Sequence, residues 1–267
     1  MLSWRTRRWM AFGAAALALA GAWLMLAGRP DDGTLERVRQ TGVLRVGLDA
    51  SFPPFEALDS GGQVTGYDAD LATALAARLA ARAEFVTVGY DGLYEALAAN
   101  RVDVVVSSLA YDPRRTRDVA YSPAYFNAGQ QLVMPAGLVT ATTGTLPLTE
   151  LLAGKRISVE WGSPGDMEAR RLQHEAAGLR VQAFASAGEA LAALLAGEAD
   201  AAIFDGVALH QFSRSHPGQL SAVRQLTDES YVTATRINAR SLAQAIDQAL
   251  DDLRRSGALE AMETKWF

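Results

Sequence analysis

The stretch Val102-Asp103-Val104-Val105-Val106-Ser107-Ser108 decides the fold class. Four of its first five residues are β-branched valines, the composition of a strand buried on both faces. Burial on both faces requires helices above and below the sheet. The stretch therefore reads as an interior strand of a parallel-type α/β sheet. Its turn to Ser107-Ser108 matters equally, because open α/β sheets bind ligands just beyond the carboxyl ends of their strands.

Working outward, strands and helices alternate. Upstream, Asp91–Ala99 reads as a helix with Leu93 and Leu97 four apart, and Phe85–Val88 as a strand. Asp68–Ala81 carries leucines at 71, 75 and 79, an amphipathic stripe, with Asp68 placed to cap it and Asp70 in its first turn. Val43–Leu48 is a strand, and Asp59-Ser60-Gly61-Gly62 marks a hairpin turn between Phe55 and Val64. Downstream, Asp112-Pro113 opens a further helix with proline at its first position. The second half repeats the order. Strands are expected at Arg156–Val159, Val181–Phe184 and Ala201–Phe204, and helices from Ser163 to about His174 and over Ala187–Ala196. Two more helices, Ser241–Arg255 and Leu259–Trp266, close the chain.

Reading the carboxyl ends of these strands gives a short set of polar and aromatic residues. Asp49 and Phe52 follow the first strand and Tyr90 the second. Ser107 and Ser108 follow the valine run, with Arg115 a turn beyond. Glu160 and Ser163 follow Val159, and Asp205 follows Phe204. An arginine beside serines at a helix start suits a carboxylate, and a lone acid opposite suits an ammonium group. Together they fit a zwitterion or small polar ligand. Each also has a plainer reading. Arg115 could pair with an acid on its own helix, Asp205 could cap the next helix, and Phe52 and Tyr90 could be core aromatics. Asp49 could cap a turn, and Ser107 could contribute backbone only. Trp161 could roof a ligand or cover a lobe.

Composition narrows the class. The 267 residues are 49% hydrophobic and 21% charged, a globular balance. The net charge of −5 argues against a nucleic-acid partner bound through a broad basic face. Cysteine is absent, which excludes disulfides, thiolate metal sites and cysteine nucleophiles. His174, His210 and His216 show no metal-ligand spacing, so neither a metal nor a cofactor is expected. Residues 1–28 open with Arg5, Arg7 and Arg8, followed by the uncharged run Trp9–Ala27. This is the form of a secretory signal, or of an uncleaved anchor that keeps the N-terminus in the cytoplasm. Residues 29–40 read as a linker ending in a short helix.

The run Leu44-Arg45-Val46-Gly47-Leu48-Asp49-Ala50-Ser51-Phe52-Pro53-Pro54-Phe55-Glu56 resembles the opening of bacterial extracellular solute-binding proteins of family 3. Gly66-Tyr67-Asp68-Ala69-Asp70-Leu71 resembles the next signature. Val102-Asp103-Val104, Asp112-Pro113-Arg114-Arg115, Tyr121-Ser122-Pro123, Ala199-Asp200-Ala201, Phe204-Asp205 and Lys265-Trp266-Phe267 continue it in family order. The resemblance spans about residues 41–267. It implies a two-lobed periplasmic-binding fold of type II, with parallel-type sheets flanked by helices and two hinge crossings. The crossings fall near Tyr125–Gly129 and Ser230–Thr233. Lobe one is then 41–128 plus 232–267, and lobe two 129–231. The implied activity is non-catalytic: a monomeric periplasmic receptor, exported in free form or anchored in the inner membrane, is expected to deliver a small amino-acid ligand to an ABC permease. By position, Arg115 resembles the residue that binds the α-carboxylate, with the Ser108 N–H beside it, and Asp205 the acid that binds the α-ammonium. Phe52 and Tyr90 resemble the aromatic pair around the side chain, and Asp49 the acid at its polar end.

Three positions depart from the family pattern. Ala110 stands where Ser or Thr is usual and Pro164 where Thr is common, so carboxylate donors are missing. Glu160 puts an acid where many relatives carry a neutral group, which favours a cationic ligand. Two further classes of function stay open at this point. The family also includes periplasmic dehydratases, in which Glu160 would act as general acid. A membrane-tethered sensory module would follow from an uncleaved anchor.

Overall fold

The computed structural model describes residues 31–267. The expected export or anchor segment lies outside them. Among the described residues, no helix is long and apolar enough to cross a membrane. The first part of the chain forms α1 (Thr34–Thr41), β1 (Val43–Leu48), β2 (Ser51–Phe52), β3 (Glu56–Leu58), β4 (Val64–Thr65) and α2 (Tyr67–Arg78). There follow β5 (Arg82–Thr87), α3 (Leu93–Ala98), β6 (Val104–Val105), β7 (Val119–Tyr121) and β8 (Phe126–Asn127). The middle forms β9 (Gln131–Pro135), α4 (Leu148–Leu151), β10 (Arg156–Glu160), α5 (Pro164–Glu175), β11 (Arg180–Phe184) and α6 (Ala187–Leu195). It continues with β12 (Ala201–Phe204), α7 (Gly206–Ser215), β13 (Leu220–Gln225) and β14 (Ser230–Tyr231). The chain closes with β15 (Ala234–Arg236), α8 (Arg240–Arg255) and α9 (Ala258–Trp266).

Two five-stranded sheets result, in the orders β5-β1-β6-β15-β7 and β11-β10-β12-β9-β13. In each, three strands pair in parallel, as the valine run and its counterparts predict. The sheets are nevertheless mixed. β15 runs antiparallel to β6 and β7, and β9 antiparallel to β12 and β13. These antiparallel strands adjoin the crossings, where the chain enters a sheet from the other lobe instead of through a crossover helix.

The two lobes share one lock. In lobe one, Asp103 precedes β6 and accepts from the Arg45 backbone N–H at 2.9 Å and from its guanidinium Nη2 at 2.7 Å. In lobe two, Asp200 precedes β12 and takes the same bonds from Arg156, at 2.8 and 2.9 Å. Burial would raise the Asp103 carboxyl, but donors on Arg45 and Arg37 hold it below its usual range. Each lock fixes the first of the three parallel strands of its sheet to the third, and with it the loops at the strand ends.

Helix starts follow their sequence signals with two exceptions. Ser163, Ser186 and Asp205 cap α5, α6 and α7, accepting from Asp166, Glu189 and Ala208 N–H at 3.1, 3.2 and 2.7 Å. Asp68 does not cap α2. The helix begins at Tyr67, with Gly66 before it at φ 132°, and Asp68 lies fully buried. The helix expected from Asp112 is only a 3-10 turn, Pro113–Arg115, because the chain feeds β7 a few residues later. Asp112 still caps that turn through Arg114 N–H at 3.0 Å.

The crossings are β8 and β14, paired antiparallel with Phe126 opposite Tyr231 and Asn127 opposite Ser230. The Asn127 amide donates to Asp228 at 2.7 Å, and its oxygen accepts the Gly129 N–H at 2.8 Å. Phe126 and Tyr231 pack edge-on against Phe55, with centroids 5.1 and 5.3 Å away, and Phe267 lies 4.9 Å from Phe55. The aromatic crossing is therefore embedded in the core of lobe one. Behind it, His210 of α7 stands 5.8 Å from the Phe267 ring, and Arg214 donates to the Lys265 carbonyl at 3.2 Å.

Candidate functional site

Three adjoining cavities lie where the strand ends face one another. The first, about 290 Å³, is walled by lobe one and the second crossing: Asp49, Phe52, Glu56, Tyr90, Ser107, Ser108, Glu229 and Tyr231. The second, about 370 Å³, runs between the lobes. Phe52 and Tyr231 face Glu160, Ser163, Pro164 and Asp205 across it, with Gln130 and Glu229 at the crossings. The third, about 510 Å³, lies beyond Tyr90 and Ala110 and contains Tyr94, Tyr111, Asp112 and Arg115. Phe52, Tyr231 and Glu229 join the first two cavities. Tyr90 and Ala110 join the first and third.

The strand-end residues thus converge, though several are already engaged. Asp49 Oδ2 accepts the Tyr90 N–H at 2.9 Å, which ties the loops after β1 and β5 together. Phe52 and Tyr90 are 48% and 45% exposed, so they are cavity walls and not core aromatics. Phe52 stacks on Phe55 with centroids 5.6 Å apart and planes 5° apart. Ser107 contributes its side chain: Oγ donates to Glu56 at 2.9 Å and accepts the Asp49 N–H at 2.9 Å. Ser163 Oγ donates to the Glu160 carbonyl at 2.8 Å while capping α5. Asp205 spends Oδ1 on its cap, and Oδ2 has no bond among the described residues. Glu160 ends β10, and its carboxylate likewise has no partner there. Trp161 is 73% exposed.

Two placements differ from the expectation carried by resemblance. The Ser108 N–H, expected toward a ligand carboxylate, is donated to Asp68, and Ser108 adopts φ 42° to do so. The Arg115 guanidinium lies 4.1 Å from the Tyr94 ring centre and 3.6 Å from Asp112, away from the interlobe cavity. Both contacts are exposed enough to be weak, so a bidentate carboxylate could displace Asp112.

Sequence reading missed the acid pair beneath the first cavity. Glu56 and Asp68 are both buried, side by side, bonded by Ser107, Ser108 and the Tyr125 hydroxyl, the last at 3.1 Å. Burial, reinforced by the Asp68 charge, pushes the Glu56 carboxyl up to about 10, and burial raises Asp68 as well. Both occur within the quoted signatures, yet nothing in either signature says that they touch. Glu229 and Gln130 were missed for another reason: they belong to the crossings, and no strand-end rule reaches them.

A paired sheet architecture, a two-strand crossing and a polar cavity between the lobes define a hinged solute-binding protein. The profile described as "Bacterial extracellular solute-binding proteins, family 3" matches residues 44–267, and the chain belongs to that family. It is 31% identical to the L-arginine-binding protein of Pseudomonas aeruginosa, over 84% of this chain and 87% of that one. It is 26% identical to the L-cystine-binding protein TcyJ of Escherichia coli, over 96% and 93% of the two chains. Among solved structures it resembles an ancestral cationic amino acid solute-binding protein, with TM-score 0.60, 28% identity, and 88% and 99% of the two chains covered.

Proposed function

We propose that the chain is the periplasmic binding component of an ABC importer and that it captures a cationic amino acid between its lobes. The observation that carries this reading is the charge of the interlobe cavity. Glu160, Asp205 and Glu229 line it, Asp49 lines its continuation, and the two arginines that border the three cavities, Arg114 and Arg115, both stand in the third, at the far end. Carboxylates gathered without a cation repel, and a ligand ammonium or guanidinium relieves that repulsion. The arginine-binding relative and the cationic amino-acid neighbour support the same choice.

In this reading Arg115 leaves Asp112 to take the α-carboxylate, and the free oxygen of Asp205 takes the α-ammonium. Phe52 and Tyr90 flank the aliphatic part, and Asp49 and Glu160 meet the distal charge. Ser107, Ser108 and Ser163 hold the walls in place. The moving bodies are residues 41–128 with 232–267, and residues 129–231. Ligand contacts from both bodies favour the closed form, which a membrane permease then distinguishes from the open one. The binder acts as a monomer without chemistry, and residues 1–28 direct or tether it across the membrane.

Thermal unfolding against L-amino acids tests this. Arginine, lysine or ornithine at about 100 times its Kd should stabilise the protein by about 2.7 kcal/mol, a melting shift of several degrees. Arg115→Ala and Asp205→Ala should each abolish the shift. Absence of any shift with every amino acid and small amine rejects the proposal.

A further inference from the structure

Resting on the reading of a cationic amino-acid receptor, we infer that Glu229, on the second crossing, is the residue that makes lobe closure conditional on the ligand's distal positive charge.

Among the described residues, Glu229 is the only acid that lines both the lobe-one cavity and the interlobe cavity. Its backbone is fixed: its carbonyl accepts the Ala128 N–H at 3.0 Å, and its N–H donates to the Asn127 side chain at 3.3 Å. The carboxylate, by contrast, has no hydrogen bond or ion pair among the described residues. Its neighbour Asp228 is spent on Asn127 and Ser230, each at 2.7 Å. The hinge thus carries one committed acid and one held ready at the junction of the cavities. Glu229 shares both cavities with Tyr231, whose phenol is raised by burial and by the Glu229 charge.

Closure brings Glu160 and Asp205 of lobe two toward Asp49 of lobe one, with Glu229 at the pivot. Negative charges converging at reduced solvent exposure repel one another. A guanidinium or ammonium at that junction converts repulsion into charge-assisted hydrogen bonds, and a neutral isostere cannot. Position at the pivot lets one carboxylate act on both states of the hinge.

Calorimetric affinities of the purified protein for arginine and citrulline, its uncharged near-isostere, test the inference. The wild type should prefer arginine at least tenfold. Glu229→Gln, which keeps the shape, should weaken arginine about ten- to a hundredfold, leave citrulline nearly unchanged and so collapse the preference. Asp228→Asn removes the same charge from the same segment while keeping its acceptor oxygen, and should leave the preference intact. Wild-type binding with an unchanged arginine-to-citrulline ratio in Glu229→Gln overturns the inference alone. Equal collapse in Asp228→Asn overturns it too, by assigning the effect to net charge. If the wild type binds no amino acid, the receptor reading itself fails, and the inference with it.

Discussion

Gly66→Ala should cost about 4 kcal/mol or more and lower the melting temperature by roughly 10 °C, or prevent folding altogether. A β-carbon at this position would stand 2.0 Å from the Phe55 carbonyl oxygen and 2.5 Å from its carbon, with Glu56 Cα at 2.9 Å. These are backbone atoms and cannot rotate aside. The residue also sits at φ 132°, a conformation that side chains rarely adopt. Gly66 joins β4 to α2 and presses the loop carrying Phe55 and Glu56 onto the helix that carries Asp68. Damage there therefore reaches both the aromatic core and the floor of the cavity. Gly61→Ala is the matched control. It lies in the exposed turn, where the nearest atom is a carboxylate oxygen of Asp59 at 3.3 Å, and it should change stability by less than about 1 kcal/mol. Equal melting temperatures for the two variants would refute this account of Gly66.

The second large effect concerns the buried acids. Glu56 titrates near 10 in the folded protein against an ordinary value of 4.5. Between those values the folded protein keeps a proton that the unfolded chain releases. The stabilising contribution is thus fully present below about pH 4.5 and is lost as pH rises toward 10, at about 1.4 kcal/mol per pH unit. Asp68 is shifted in the same direction. The depressed acids Asp32, Asp103 and Asp200 act only below their ordinary range, and His210, lowered by burial, acts only below about 6.5. Asp247 and Glu263 are also raised, chiefly by burial, and act in the same direction, so the part due to Glu56 is read from pH 7 to 9 as the difference between the wild type and Glu56→Gln. Urea midpoints should fall steeply across that interval in the wild type and much less in Glu56→Gln, whose amide needs no proton to stay neutral. A flat wild-type profile would sink the assignment.

The parts of this molecule that sequence made legible are those governed by local chemistry. Valines at 102 and 104–106 announced an interior strand, leucines at 71, 75 and 79 a helix face, and Ser163 and Asp205 the starts of α5 and α7. Strand-end positions likewise brought Asp49, Tyr90, Glu160 and Asp205 to one region. Long-range relations were not legible. Asp68 reads as a cap from its neighbours, yet it is claimed by Ser108 and Tyr125, 40 and 57 residues away. Arg115 has the spacing of a carboxylate ligand, but its resting place depends on Tyr94, which only the fold puts beneath it. The antiparallel strands of both sheets escaped notice because their partners are set by where the chain crosses, not by what the strands contain.

The placement of β15 has a consequence for the order in which the molecule can be assembled. The second sheet is drawn from one uninterrupted stretch, residues 131–225, whereas the first has β15 inserted between β6 and β7, more than a hundred residues after either. A chain emerging from its N-terminus must leave β6 and β7 unjoined until the whole of the second sheet has been delivered. Contacts of such long sequence separation form late. On refolding, amide protons of β10, β11 and β12 should therefore become protected before those of β15, and the hinge, built from both crossings, should be among the last structures to close.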